Sequence, residues 1–456
     1  MVMFIAAAAW LLAGSILGLI ASIKFHAPAF LADAAWLTYG RVKPAAANCM
    51  LYGFAVQAGL GVALWLLARL GRTQLAGPGF ATFGAVCWNG GVLAGVVAIL
   101  SGGSAGYEGL EIPRAAQHLL LLSYLIVAVP AALTFHRRVE RSTYVSQWFL
   151  FAALFWFPWI QSTAALLLSD LGARGMAQAV MAWWYAQNLQ VVWLALVGVA
   201  ALFYFVPKLT GRDLHSRHLA LLAFWTLILF GSWGGIPATA PVPAWMPVFS
   251  AVATVMSIAT FLAVAVNAHR TLDGRCSLLL TQPGLRFICF VLGAFVLTGF
   301  VRAVAALPGV AHVTQLTWLT TAISSLNLYA FFAMVMFGAA YYIAPRLTGM
   351  EIPYPRLVSA HFWVAAAGVL LLVLPLAVGG VVQGLKLQHA DIPFADITKA
   401  TLHFLRVSTM GELLLVLGHL MLLLNLIALA AQFLCPRAKA AWEEATAEAI
   451  PAEVAR

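Results

Sequence analysis

The feature that most constrains this chain is the recurrence of apolar stretches about 20 residues long, the length a helix needs to cross the hydrocarbon core of a bilayer. About twelve such runs are legible, near 3–24, 46–68, 80–101, 115–135, 145–169, 178–206, 219–240, 245–268, 286–306, 316–343, 358–384 and 403–434, joined by short polar loops. A soluble core requires no such density, with 63% of the residues hydrophobic and 9% charged. The chain therefore reads as an all-α polytopic membrane bundle over residues 1–435, followed by a polar, Ala- and Glu-rich cytoplasmic tail over 436–456. The first run follows Met1-Val2-Met3-Phe4, which has no basic side chain, and it is longer than a usual signal core, so a membrane helix is expected there and not a leader.

Lys and Arg resist translocation in short loops and so report orientation. An inside N-terminus gathers Arg69, Arg72, Arg137, Arg138, Arg141, Lys208, Arg212, Arg217, Arg270, Arg275, Arg286, Arg346, Arg356, Arg437 and Lys439 on the cytoplasmic side. The opposite loops keep fewer, chiefly Lys24, Arg41, Lys43, Arg114, Arg174, Arg302, Lys386, Lys399 and Arg406. Both termini are thus expected in the cytoplasm. The net charge of +10 is spread over helix ends, which suits topology and lipid headgroups and speaks against a nucleic-acid partner. Cys49, Cys87, Cys276, Cys289 and Cys435 make no close pair and no Cys-x-x-Cys-His is present, so neither a disulfide framework nor covalent c-type haem is indicated.

Two segments repeat one another. Tyr204-Phe205-Val206-Pro207-Lys208-Leu209-Thr210-Gly211 closes the sixth run, and Tyr341-Tyr342-Ile343-Ala344-Pro345-Arg346-Leu347-Thr348-Gly349 closes the tenth. Each combines interfacial rings, a Pro, a cation that complements the helix C-terminus and a Gly that permits the turn.

These segments, with Tyr39-Gly40-Arg41-Val42-Lys43-Pro44, Ser142-Thr143-Tyr144-Val145-Ser146-Gln147-Trp148-Phe149, Trp184-Tyr185 with Asn188, Phe224-Trp225, and Trp233 with Gly235, resemble the haem-copper oxidase superfamily, most closely subunit I of the cbb3-type cytochrome c oxidases. The resemblance implies twelve helices in three arcs around cofactor pores. It also implies a low-spin haem b held by the second and tenth helices, a high-spin haem on the tenth, a copper held by the sixth and seventh, and a redox tyrosine on the seventh. Carried over residue by residue, the low-spin ligand of the second helix falls on Ala46 and the copper ligand of the sixth on Gln187. The histidine pair of the seventh helix falls on Pro237 and Ala238, the tyrosine on Gly231, and the two histidines of the tenth helix on Ile323 and Ser325. None of these is a family ligand. Neutral imidazole is the usual donor to b-type haem, and copper needs several.

The remaining histidines show no His-x-His or adjacent pair. His118 and His419 read as intramembrane, whereas His361 reads as lying near a helix end. Glu412 is the acidic residue clearly inside an apolar run, and His419 follows two turns later on roughly the same face. His118, His403, His419, Met50 and Cys49 are the groups available to a relocated haem. Arg41 and Lys43 stand where the family's basic residues meet haem propionates and are candidates for an anion or a partner subunit. The aromatic run from Trp148 to Trp159 reads as lipid-facing and core bulk around Pro158.

The reading that follows is a subunit I homologue without catalysis and without haem or copper. It would act as a structural or assembly partner in a respiratory complex of the bacterial inner membrane, beside other membrane subunits such as a c-type cytochrome, with Ile323, Trp233 and Gln187 packing the vacated pores. One alternative is an active terminal oxidase or nitric oxide reductase carrying haem b and copper. A second is a proton or ion carrier using Glu412 and His419.

Overall fold

The computed structural model describes residues 1–274, 278 and 282–448; Arg275, Cys276 and residues 449–456 of the expected tail lie outside the described residues. Among the described residues, eleven helices are long and apolar enough to cross a membrane: α1 (Val2–Lys24), α2 (Tyr39–Leu70), α3 (Pro78–Leu100), α4 (Arg114–His136), α5 (Val145–Asp170), α6 (Met176–Thr210), α8 (Trp245–Leu272), α9 (Pro283–Ala305), α10 (Trp318–Thr348), α11 (Pro355–Leu387) and α12 (Phe394–Glu448). Between α6 and α8 lies the shorter apolar α7 (Arg217–Gly231). Helices alternate in direction, so one end of the bundle carries Met1 and the other carries Lys24.

The seventh run departs from expectation. It does not form one crossing-length helix, because Gly234, Gly235, Pro237, Pro241 and Pro243 crowd the stretch after Gly231. Gly235 adopts φ 96°, a conformation closed to most L-residues, and each proline removes a backbone donor, so the chain is irregular up to Trp245. The tail expected from 436 begins inside a helix: α12 passes through Pro436 and ends at Glu448.

Burial separates a centre from a periphery. The most apolar stretches of α2 and α6 are each 94% buried and that of α10 is 78%, against 39–50% for the other long helices. These three helices touch one another, with Trp193 of α6 against Gly59 of α2 and Phe331 of α10 against Gly198 of α6. Lipid is as apolar as a leucine core, so such contacts are held by close packing onto small residues and not by a hydrophobic drive between helices. Exposed Phe80, Phe155 and Trp363 on the outer helices form the apolar belt that lipid covers.

The central helices are not uniform. The backbone widens to π-helix at Cys49–Val56 in α2, Asn188–Trp193 in α6 and Leu326–Ala333 in α10, and again at Leu227–Gly231 in α7. Ala46 lies just before the first of these, Gln187 and Ser325 immediately precede the second and third, and Gly231 ends the last. Widened turns of this kind concentrate at functional sites. The repeated segments end α6 and α10 alike. Gly211 (φ 66°) and Gly349 (φ 71°) take the left-handed conformation and donate their backbone N–H to the carbonyls of Pro207 and Pro345. Trp65 of α2 meets Tyr204 and Tyr342 edge-on between the two ends, at 5.7 and 6.0 Å.

α11 and α12 pack along one another and meet through glycines. Gly368 carries no side chain where the carbonyl of Gly411 would stand 3.1 Å from a Cβ. A Cβ on Gly411 would collide with the backbone nitrogen of Leu372, which cannot yield as a side-chain tip can. Gly411→Ala is therefore expected to lower stability by about 1–3 kcal/mol, seen as a lower thermal-unfolding midpoint in detergent; an unchanged midpoint contradicts this account of the interface.

Candidate functional site

Five of the seven positions singled out by the resemblance line two cavities. The first, about 220 Å³, lies between α1, α2, α10 and α12 beneath the 101–113 loop. Ala46 and Ala47 of α2 face Ser324 and Ser325 of α10 across it, and Met50, Lys43, Glu108, Glu111, Tyr329 and Glu412 complete its wall. The loop is tied down by Asn48, whose Nδ2 donates to Glu111 Oε2 at 2.8 Å, and by Tyr52, whose hydroxyl donates to the Gly109 carbonyl at 2.6 Å.

The second cavity, about 240 Å³, lies between α8, α9, α10 and the irregular segment after α7. Pro237, Ala238 and Ile323 line it together with Arg302. Gln187 stands at its edge, 7% exposed. Its Nε2 donates to the Gly231 carbonyl at 2.7 Å, and its Oε1 accepts from Arg302 Nη2 at 2.8 Å. Room for this amide comes from Gly234 and Gly235, where a Cβ would stand 2.9 and 2.8 Å from the Gln187 side chain. Asn188, one residue on, receives Trp156 Nε1 at 3.1 Å and donates to the Ser232 carbonyl at 3.1 Å, linking α5, α6 and the end of α7. Ile323 lines the second cavity, and Gln187 bonds Arg302 at its edge. Trp233 does neither: it is 56% exposed and packs edge-on against Phe249.

Haem and copper do not fit these residues. Neither cavity is lined by an imidazole or a thiolate. Both are smaller than the roughly 300 Å³ at which pockets begin to hold drug-sized ligands, and a haem is larger than that. The guanidinium of Arg302 places a permanent cation beside the second cavity, with no carboxylate within 4.0 Å among the described residues. Among the described residues no cluster of three or more His, Cys, Asp or Glu could hold a metal ion.

A separate line of polar residues follows the contact of α1 with α12. Ser22 meets Thr409 at 2.7 Å, His26 meets Thr409 at 3.2 Å, Glu412 lies against Gly18, and Ser15 meets His419 Nδ1 at 2.6 Å. Glu412 and His419 share one face, as their spacing suggests. His361, read from sequence as near a helix end, is fully buried on α11, with Nδ1 3.0 Å from the Tyr341 hydroxyl. A single imidazole two turns into an amphiphilic start carried no periodic signal; the polar Tyr341 that meets it is 20 residues earlier. His118 moves the other way. It is exposed at the start of α4, with Nε2 3.2 Å from Asp170, beside the Arg114–Asp170 pair at 2.5 Å. It is a surface group and no candidate for an intramembrane ligand. Cys49 is buried against Gly14, and the His403 ring rests on Phe404 at 3.8 Å. Lys43 reaches the first cavity, whereas Arg41 donates to the Leu100 carbonyl at 3.2 Å.

A family model described as cytochrome C and quinol oxidase polypeptide I matches residues 1–414. Cytochrome c oxidase subunit 1 of Rhodobacter capsulatus is 26% identical over 452 residues, covering 94% of this chain and 84% of that protein. The cbb3-type cytochrome c oxidase subunit CcoN1 of Stutzerimonas stutzeri is 25% identical over 386 residues, covering 82% and 81%. The cryo-EM structure of a heme-copper terminal oxidase dimer shares the fold with a TM-score of 0.73 at 16% identity, over 94% of this chain and 84% of that one.

In the 101–113 loop, burial pushes the Glu111 carboxyl above its ordinary value, although the Asn48 amide and backbone donors pull it down. A raised folded pKa means that the folded state holds this proton more tightly than the unfolded chain, so stability falls as pH rises from the ordinary carboxylate value through the raised one. Glu111→Gln is expected to flatten that part of the unfolding-midpoint profile; a profile equally steep in the variant contradicts the assignment.

Proposed function

The chain belongs to the subunit I family of the haem-copper oxidases, of the cbb3 type, and from that premise we propose that it is a non-catalytic subunit I homologue, serving as a structural or assembly subunit of a respiratory membrane complex. The observation that carries this reading is the convergence of Ala46 with Ser325 in one cavity and of Pro237, Ala238 and Ile323 in another. Positions spread over some 280 residues meet beside two cavities, which supports the register of the carry-over. The groups at these positions pack: Gln187 bonds backbone and Arg302, and alanine, proline and isoleucine fill space without donating to a metal.

Members of this family work within multi-subunit respiratory complexes, and a homologue that keeps the fold keeps the lateral surfaces through which such subunits meet. The proposed setting is a bacterial cytoplasmic membrane with both termini inside, and the proposed neighbours are other membrane subunits, a c-type cytochrome among them. The rival reading, an active terminal oxidase or nitric oxide reductase subunit, requires haem on ligands outside the family pattern, and with His118 at the surface the buried imidazoles left are His361 and His419.

A reduced-minus-oxidised absorption spectrum with haem extraction and copper analysis on the purified chain separates the two. We expect no haem band and no copper above background. Near-stoichiometric haem overturns the reading and returns the chain to the oxidoreductases.

A further inference from the structure

Among the buried polar atoms without a hydrogen-bond partner, three belong to ionisable groups inside α11 and α12: Glu412 Oε2, His419 Nε2 and His361 Nε2. Leaving such groups unsatisfied is costly in lipid, and ionisable groups there mark ion or proton routes by default. We propose that Glu412, His419, His361 and Tyr341 form a proton path through the bundle, closed at rest by the ring of Phe337. This goes beyond the structural role proposed above and does not depend on it.

The residues link the two ends of the bundle. At the Lys24 end the first cavity, with Lys43 and Glu111 in its wall, brings polar surface to Glu412 and Tyr329. The Tyr329 ring stacks on His419, with centroids 6.1 Å apart at 14°. At the Met1 end the Asn425 side chain lies near Tyr341, its Oδ1 accepting from the backbone N–H of the exposed Tyr354 at 3.2 Å and its Nδ2 donating to the Tyr354 carbonyl at 3.4 Å. From Glu412 to Asn425 the line follows α12 for about 20 Å at about 1.5 Å per residue.

Hydrogen bonding assigns complementary roles to the two unpartnered nitrogens. Ser15 gives its only hydroxyl proton to the Leu11 carbonyl at 2.8 Å, so toward His419 it must accept. His419 therefore carries its proton on Nδ1, and its Nε2 is a bare acceptor. The buried Tyr341 hydroxyl has His361 Nδ1 as its hydrogen-bond partner at 3.0 Å, and pairing the hydroxyl proton there puts the His361 proton on Nε2. One imidazole thus offers a proton and the other a lone pair. Phe337 touches both rings, at 4.7 Å from His361 and 5.6 Å from His419. Moving that ring aside lets a proton pass between the nitrogens. Each transfer breaks one N–H or O–H bond and forms another, and Glu412 exchanges its proton with water in the cavity.

The test places the full-length protein in liposomes holding a pH-sensitive dye, with a potassium gradient and valinomycin to set the potential. Phe337→Ala is expected to admit protons about ten-fold faster than the wild type, equivalent to about 1.4 kcal/mol off the barrier. Adding Glu412→Gln or His361→Gln to Phe337→Ala is expected to return the rate to the wild-type level. A Phe337→Ala rate equal to the wild type overturns the proposal, as does a fast rate that survives Glu412→Gln, because that is a hole in the packing and not a line of carriers. Since Phe337→Ala removes a core ring and can fail to fold, the infrared carboxyl band of the wild type in D2O gives an independent reading, assigned by its loss in Glu412→Gln. A band that shifts within minutes supports access from the cavity; one that stays unshifted for hours overturns it. Haem content does not enter either readout, so failure here is distinct from failure of the subunit reading.

Discussion

In hydrocarbon no water completes the hydrogen bonds of an exposed peptide group, and the whole architecture depends on that constraint. It makes helices the unit of construction and confines irregular backbone to places shielded by protein. The start of the irregular stretch between Gly231 and Trp245 follows the second rule, with Gly234 and Gly235 against Gln187, the Ile236 N–H donating to Ser250 Oγ at 3.0 Å and Pro237 on the wall of the second cavity. The central helices obey the first even where they widen, because a π-helical turn still satisfies its own peptide groups while it re-aims side chains.

That widening falls beside the positions to which the family's cofactor ligands carry over. At Ala46, Gln187 and Ser325 the backbone is arranged beside a cavity, yet the side chains do what core residues do. Gln187 is the clearest case. Its amide spans the gap between Gly231 and Arg302, and the two glycines opposite give it room. The bundle thereby keeps its packing where a vacated site would leave a void, and voids in a packed interior cost stability in proportion to their volume.

Polarity has concentrated elsewhere, along α1, α11 and α12. Ser15, Glu412, His419 and His361 lie on a seam that the cavities touch only at Glu412. Two of these helices, α11 and α12, are held at glycine distance, so the imidazoles cannot be displaced by helix separation without breaking that interface. Side-chain movement, with Phe337 the ring in contact with both, is the motion left to that region.

Read alone, the chain of apolar runs determined the helix number to within one short member, the alternating direction, and the glycine-capped ends of α6 and α10, because each is a local matter of length, polarity or turn chemistry. It also led to the expectation that the family's donor residues are absent, which is a matter of residue identity at motif spacing. Tertiary structure alone decided which polar residues are buried. His118 sits in an apolar run yet faces outward to Asp170, and His361 sits near the start of a helix yet is sealed by α10 and α12. The physical reason is that burial in a membrane bundle depends on which helices stand beside a residue. A helix that is apolar all round gives no periodic sign of which face turns inward.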